Sequence, residues 1–370
     1  MRLHTVVRVL GAVVLTGVLS TGCGSDNNNL GSGFGASIRV DCGGDNALTG
    51  EGSTAQQNAI ALFNQAWGRQ CPSKNVLYNP TGSGAGREQF IAGHVDFGGS
   101  DEPLTAVQIG PAAKRCNGNP AWHLPLVFGP VAVIYHLGGV APLVVNADVL
   151  AKIFSGAIIS WRDPAIVALN HNVGLPDAKI TPIYRADSSG TTDNFQKYLT
   201  VAAPRSWTQG AGSEFQGGVG EGAQKSAGVV QAVQSTPGTI GYVEKGFADQ
   251  AGMPYAQIDD GGGAVALSDD AARNAVDDAT FVGVGNDLRL DLDSLYATTE
   301  PGAYPLVLAT YEIVCSAGYD PATGTAVKSF LTTAADSGQA GLSKALSGAG
   351  YVPLPDKFQQ RLVAAISAIQ

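Results

Sequence analysis

The chain of 370 residues has few charged side chains and no cluster of basic ones. Charged residues make up 14% of it, and the formal net charge is −9, or −11 without Arg2 and Arg8. Nucleic-acid-binding proteins present a basic patch or stripe, so this composition argues against nucleic acid as a partner. A small anion is not excluded, because oriented dipoles in a buried site can bind one whatever the charge of the distant surface.

The sequence patterns of several enzyme classes are also missing. The chain contains neither a G-x-S-x-G nucleophile elbow nor a G-x-x-x-x-G-K-[ST] phosphate loop. The five histidines are scattered singly, and the cysteine spacings do not resemble a zinc site. We therefore predict no catalytic residue, metal or cofactor. An extracytoplasmic hydrolase is kept as an alternative, with Ser83 or Ser189 as the imaginable nucleophile.

The N-terminus has the parts of a secretory signal. A basic start precedes an apolar run at 9–20 that is short for a membrane span, and small residues then lead into Cys23. This arrangement resembles the bacterial lipoprotein signal. We expect residues 1–22 to be a signal peptide and Cys23 to be lipidated, with palmitate in the anchor, on the outer face of the cell membrane. The alternative is an ordinary cleaved signal that leaves Cys23 in the mature chain.

The segment 23–41 is rich in Ser, Asn and Gly, which predicts a flexible tether after the lipidated cysteine. Cleavage before Cys23 would leave 348 residues, more than one hydrophobic core usually holds, so two lobes are expected. No further apolar run reaches the length of a membrane span. An even number of cysteines in an exported body predicts two disulfides, with the pairing left open. The four cysteines are Cys42, Cys71, Cys116 and Cys315.

Short apolar strands alternate with helical stretches along the whole body, a pattern typical of an α/β fold. We predict strands at 76–78, 127–135, 180–184, 239–243 and 305–315. We predict helices at 55–67, 87–94, 193–199 and 356–369.

Three segments, 48–55, 78–86 and 184–191, share one pattern: a strand, then Gly, Ser and Thr residues, then a helix start. The first N–H groups of a helix lack intrahelical partners, and the helix dipole adds partial positive charge there. Small residues let an anion approach, and hydroxyl groups add donors. One such junction is often an ordinary N-cap. Three in one chain favour an anion site, although the sequence does not show that they converge.

Arg185 ends the third predicted strand, and its guanidinium could bind two oxygens of a tetrahedral oxyanion at once. Asp187 lies two residues further on, so it could share that face and orient Arg185. The alternative is a surface ion pair that contributes little.

Three runs resemble the phosphate-binding proteins of the Pst-type ABC importer, and among these the actinobacterial lipoproteins most. They are LTGEGSTA (48–55), TGSGAGREQFIAGHVDFGGSDEPL (81–104) and RADSSGTTDNFQKYL (185–199). The resemblance implies a type II periplasmic-binding-protein fold, in which two α/β lobes joined by two crossover segments enclose the ligand in a cleft. Lobe I would comprise 42–130 plus 301–370, and lobe II 131–300.

The same resemblance implies capture of inorganic phosphate outside the cytoplasm and its delivery to membrane permease subunits, by a monomer. The phosphate-binding set would be Ser53, Thr54, Ala55, Ser83, Asp101, Arg185, Ser189, Gly190 and Thr191, with Asp187 behind Arg185. Ala55 would act through its backbone N–H, and the role of Ser53 is left open.

Asp101 would accept a hydrogen bond from the proton of hydrogen phosphate. A carboxylate facing an unprotonated anion is repulsive, so Asp101 would reject sulfate. The plainer interpretation is that Asp101 caps a helix starting near Pro103. A binding protein for another oxyanion is the main alternative function.

Overall fold

The computed structural model describes residues 40–277, 279–335 and 339–370. The predicted signal peptide, Cys23 and the tether up to residue 39 lie outside the described residues. Within those three ranges, no helix is both long and apolar enough to cross a membrane.

A mixed sheet of eight strands forms the centre of the described part of the chain. Its strands are β1 (Ala47–Gly52), β2 (Asn75–Pro80), β3 (Phe97–Ser100), β4 (Ala121–Tyr135), β6 (Thr181–Arg185), β7 (Glu221–Ala223), β8 (Thr239–Glu244) and β12 (Val307–Cys315). They lie side by side in the order β2-β1-β3-β12-β4-β8-β6-β7. Two small ladders pair β5 (Val144–Val145) with β9 (Gln257–Ile258) and β10 (Thr280–Phe281) with β11 (Leu290–Asp291).

The long strand β4 joins the two halves of this sheet. Its residues 121–130 pair with β12, and residues 131–135 pair with β8. The predicted lobe boundary between residues 130 and 131 therefore falls where β4 changes partner. The α/β class is confirmed, whereas the exact lobe boundaries stay a prediction.

Helices pack on the sheet along the chain. They are α1 (Gln57–Gln70), α2 (Ser83–Ala92), α3 (Ala106–Arg115), α4 (Ala147–Phe154), α5 (Pro164–Leu169), α6 (Gly190–Ala202), α7 (Lys225–Ser235), α8 (Lys245–Gln250), α9 (Asp269–Val276), α10 (Asp293–Tyr296), α11 (Pro321–Thr333), α12 (Gln339–Gly348) and α13 (Asp356–Ser367).

The inner face of α1 is formed by Ile60, Phe63 and Trp67, which are all buried. Their spacing of three and four residues places them on one side of the helix, against the core. Trp67 also donates a hydrogen bond from Nε1 to Ser329 Oγ at 2.9 Å, so its polar atom is satisfied inside the core.

Two disulfides staple the half of the sheet that contains β1 and β12. They join Cys42 to Cys71 and Cys116 to Cys315. The prediction of two bridges is confirmed, and the structure supplies the pairing. The second bridge closes a loop with a sequence separation of 199, which by chain-entropy arguments restricts the unfolded chain strongly.

Candidate functional site

The first strand–helix junction lies between the end of β1 and the start of α1. Ser53 Oγ donates to Asp101 Oδ1 at 2.6 Å and accepts from the Ala55 N–H at 3.0 Å. Thr54 Oγ1 lies 2.7 Å from Ser226 Oγ. All three junction residues are buried, so their polar groups serve a site inside the protein and not the surface.

The second junction starts α2, which begins at Ser83, four residues before its predicted start. Gly82 has φ of 108°, a left-handed conformation that a side chain would strain. This turn directs the Ser83 hydroxyl to Asp101, where it donates to Oδ2 at 3.2 Å. The Asp101 backbone N–H donates back to Ser83 Oγ at 3.1 Å.

The third junction starts α6 at Gly190, with Ser189 as the N-cap whose Oγ accepts from the Thr192 N–H at 3.2 Å. A Cβ at Gly190 would lie 2.6 Å from both Asp101 Cβ and Ser83 Oγ. Glycine is therefore needed at this position, because the N-terminus of α6 lies directly against the other two junctions.

Backbone and amide contacts fix this approach. Asn194 Nδ2 donates to the carbonyl oxygens of Asp101 and Gly190, each at 2.7 Å. The Gly84 N–H donates to the Ser188 carbonyl at 3.1 Å. The three junctions thus converge on one place, which the sequence alone did not establish.

Asp101 follows β3 and does not cap a helix. The next helix along the chain, α3, begins at Ala106. Its N-cap is Thr105, whose N–H donates to Gln108 Oε1 at 3.1 Å. The interpretation of Asp101 as a cap for a helix near Pro103 is therefore wrong. Its carboxylate instead lies in the middle of the three junctions.

The Asp101 carboxylate is bound by neutral donors from three elements. Oδ1 accepts from Ser53 and, at 2.8 Å, from Thr310 Oγ1 on β12, while Oδ2 accepts from Ser83. Burial raises the pKa of Asp101 to about 6, with the Glu244 carboxylate adding to the rise and the hydroxyl donors opposing it. An ionised carboxylate has about four acceptor positions, so one remains after these three bonds.

Arg185 is 3% exposed and pairs with Asp187, so the contact is buried and is not a surface ion pair. Arg185 Nε donates to Asp187 Oδ1 at 2.8 Å, and Nη2 donates to Oδ2. Burial alone would lower the pKa of Arg185, but the Asp187 carboxylate offsets this and raises it. The guanidinium also approaches Ser226 Oγ at 3.4 Å, which leaves two of its five N–H groups outside these contacts.

Four side chains of the site were not predicted, namely Asn194, Ser226, Glu244 and Thr310. Thr191 donates from its hydroxyl to Glu244 Oε1, and Ser226 lies between Thr54 and Arg185. Thr310 and Glu244 lie on β12 and β8, whose sequences carry no glycine-rich junction, so only the sheet order brings them in. Ser226 is the second residue of α7, and a Ser at a helix start is ordinary.

The assembled site offers hydroxyl groups, the N–H groups of three helix starts and one guanidinium, with the Asp101 carboxylate at their centre and the Asp187 and Glu244 carboxylates beside Arg185 and Thr191. Such a set suits a small oxyanion that carries a proton. Among the described residues no group of three or more His, Cys, Asp or Glu side chains has the arrangement of a metal site. His94, the one histidine within the predicted motifs, contacts Gln89 through Nδ1 at 2.8 Å and does not join this group.

Comparison with known proteins identifies the family of this chain. The PBP superfamily domain matches residues 36–336. Phosphate-binding protein PstS 3 of Mycobacterium tuberculosis is 46% identical over 374 residues, which cover 100% of both chains. Phosphate-binding protein PstS of Xylella fastidiosa is 30% identical, with 94% of each chain covered.

Among solved structures, a high-affinity periplasmic phosphate-binding protein, PfluDING, bound with phosphate, aligns with a TM-score of 0.67 at 22% identity. The alignment covers 86% of this chain and 93% of that one. This likeness supports the type II periplasmic-binding-protein fold. The chain belongs to the PBP superfamily and, within it, to the PstS family of phosphate-binding proteins.

Proposed function

We propose that this protein captures hydrogen phosphate outside the cytoplasm and delivers it to the membrane subunits of an ABC importer. It acts as a binding protein and not as an enzyme. The observation that carries this proposal is the buried Asp101 carboxylate, which is held by hydroxyl groups at the meeting point of three helix starts. The PstS relatives are named phosphate-binding proteins, and from this we infer that the solute bound at the site is phosphate.

The residues that we propose to bind phosphate are those named in the sequence analysis. Thr54, Ala55 and Ser83 donate from one side of the site, and Arg185 with Ser189, Gly190 and Thr191 donates from the other. Ser53 orients Asp101 through its hydroxyl and supports the Ala55 N–H, and Asp187 orients Arg185. Some of these side chains now bond to neighbouring residues, as Thr54 does to Ser226. On binding, contacts with phosphate oxygens would replace such bonds.

Selectivity follows from the proton. Near neutral pH phosphate keeps a P–OH group, which can donate to the remaining acceptor position of Asp101. Sulfate has no such proton and would place one acceptor against another in a water-poor site. The proposal therefore includes rejection of sulfate.

We also propose that Cys23 carries a lipid anchor, that the protein works as a monomer on the outer face of the cell membrane, and that the tether gives it reach toward its permease. The Cys23→Ala variant of the full chain should leave the membrane fraction and enter the soluble extracytoplasmic fraction. Persistent membrane association of that variant would contradict the anchor.

Calorimetric titration near neutral pH tests the proposed function. The purified protein is first unfolded and refolded to remove bound ligand, then titrated with phosphate and, separately, with sulfate. We expect tight one-to-one binding of phosphate and no heat from sulfate. Absence of phosphate binding would contradict the proposed function and would favour another oxyanion as the ligand of the three junctions.

A further inference from the structure

A buried ion pair lies beside the site and is not part of the ligand set. Arg87 of α2 and Glu102, the residue after Asp101, contact each other through Nη1 and Oε1, with side chains 5% and 8% exposed. Arg87 also donates to Ser100 Oγ at 3.1 Å and from Nε to Gln108 Oε1 at 3.2 Å. The pair is thus fixed on the β3 side of the molecule.

The hydroxyl of Ser213 joins this pair from a different segment, the loop 210–216 that follows α6. Arg87 Nη2 donates to Ser213 Oγ at 3.0 Å, and Ser213 Oγ donates to Glu102 Oε1. The carbonyl of the same residue accepts from the Ser189 N–H at 2.9 Å. Ser213 therefore connects the ion pair to a backbone group of the third junction.

The loop 210–216 is held from its other side by α6. Gln196 Nε2 donates to the carbonyls of Gly212 and Glu214 at 2.8 and 3.1 Å, and Gln196 Oε1 accepts from the Gln216 N–H at 2.7 Å. These contacts fix the loop to its own helix. The contacts with Arg87 and Glu102 instead fix it to α2 and the segment after β3.

We propose that Arg87, Glu102 and Ser213 form a clasp that positions Ser189 and sets how long phosphate stays in the closed site. The inference rests on the proposed function. In the predicted lobe division, Arg87 and Glu102 belong to lobe I and Ser213 belongs to lobe II, so the clasp closes only when the two come together. The three residues act through Ser189 and do not touch the ligand themselves.

The expected consequence is kinetic. Interactions that exist only after closure slow the release of ligand and leave the encounter with the open site unchanged. A hydrogen bond to a charged group contributes enough that its loss should speed phosphate release by about tenfold or more. The association rate should stay within about twofold, because electrostatic attraction of the ligand comes from the site and not from this neutralised pair.

The test uses Ser213→Ala as the principal variant, because Ser213 is partly exposed and its loss leaves the Arg87–Glu102 pair intact. Glu102→Gln is the second variant, which keeps the shape of the side chain. Release of radiolabelled phosphate is followed after a chase with unlabelled phosphate, and amide exchange at Ser189 is followed by NMR in the protein saturated with phosphate. We expect faster release and faster Ser189 exchange in both variants.

A double variant sharpens the result. If Glu102 and Ser213 act through one contact, Ser213→Ala combined with Glu102→Gln should release phosphate no faster than the more affected single variant. Asp260→Asn is the matched control. Its partly buried carboxylate binds Tyr198 and the Ala147 N–H, so it should lower thermal stability and leave the release rate unchanged.

Wild-type release rates in both single variants, or unchanged Ser189 exchange in both, would overturn the clasp. Failure of the wild-type protein to bind phosphate would instead overturn the proposed function. That outcome would overturn the clasp as well, whereas tight phosphate binding with wild-type release in the variants would overturn the clasp alone.

Discussion

Asp101 and Asp187 are two carboxylates of one site that are held in opposite ways. Asp101 accepts from three hydroxyl groups and has no cation in direct contact among the described residues. Asp187 instead takes two bonds from the Arg185 guanidinium. Burial raises the pKa of Asp101 to about 6, whereas for Asp187 the guanidinium outweighs burial and lowers the pKa.

The difference assigns separate tasks to the two groups. Asp101, held by neutral donors, keeps both an acceptor position and an affinity for a proton, which suits recognition of a P–OH group. Asp187 binds the Arg185 guanidinium through two oxygens, and in the proposed site it orients that cation toward the ligand. An anion is then bound mainly by local dipoles and directed N–H groups, which agrees with a chain of net charge −9.

The largest expected effect comes from removing the cation. Arg185→Ala should weaken phosphate binding by about 100-fold or more, because several charge-assisted hydrogen bonds are lost and Asp187 is left without its partner. Calorimetry measures the affinity. The exposed Arg162, whose side chain is 60% accessible, provides the control Arg162→Ala, which should bind as the wild type does. Equal losses in the two variants would contradict a specific role for Arg185.

The two carboxylates should differ most clearly in selectivity. Asp101→Asn replaces an acceptor with a group that can also donate, so sulfate binding should rise relative to phosphate by about tenfold or more. Asp187→Asn should weaken both anions and leave their ratio nearly unchanged. Competition titrations of phosphate against sulfate measure the ratio. An unchanged ratio in Asp101→Asn would remove Asp101 from its assigned role.

The pH dependence of stability separates the same two kinds of carboxylate. Burial raises the pKa of Asp101 to about 6, of Glu102 to about 7 and of Glu312 to about 8. Such groups bind more protons in the folded chain than in the unfolded one. Their contribution is complete below the unfolded pKa values, which lie at about 4, and is lost progressively until the pH passes the folded values of about 6 to 8. Carboxylates with lowered pKa values, such as Asp187, change charge below this window.

The free energy of unfolding without phosphate should therefore fall between about pH 4.5 and pH 8, with each group contributing up to about 1.4 kcal/mol per pH unit between its unfolded and its folded pKa. Urea unfolding at a series of pH values measures this slope. Glu312→Gln, which removes the group with the highest pKa of the three, should flatten the upper part of the curve. A stability that rises over the same range would contradict the protonated state of these acids.

The smallest expected effect is at the hydroxyl donors of Asp101. Thr310→Val keeps the volume and removes one donor to Oδ1, so phosphate binding should weaken by less than about tenfold. Calorimetry on this variant and on Thr332→Val, whose hydroxyl bonds its own helix at 2.7 Å, measures the difference. If Thr310→Val loses as much affinity as Arg185→Ala, the hydroxyl contributes more than orientation of Asp101.

Local sequence patterns predicted the three junctions because glycine-rich helix starts are encoded within a few residues. The predicted strand at 127–135 lies within β4, and the predicted helix at 193–199 lies within α6, although α6 begins earlier at Gly190. The early start matters, because Gly190 belongs to the first turn and lies so near Asp101 that a Cβ there would be 2.6 Å from the Asp101 Cβ.

Contacts between distant segments were outside the reach of local patterns. Thr310 joins Asp101 across 209 residues, because the sheet places β12 beside β3. The loop 210–216 carries no motif of its own, yet Ser213 connects Arg87 and Glu102 to Ser189. Side chains of this kind carry no local signal, since each is an ordinary Ser or Thr until the fold gives it a partner.

A crystal structure of the protein grown with phosphate tests the central claim most directly. The account predicts a phosphate oxygen about 2.5–2.7 Å from an Asp101 carboxylate oxygen, the length of an O–H···O⁻ hydrogen bond, with other oxygens bound by Arg185 and the starts of α1, α2 and α6. Phosphate bound elsewhere would contradict it. So would sulfate occupying the same position equally well in crystals grown with sulfate alone.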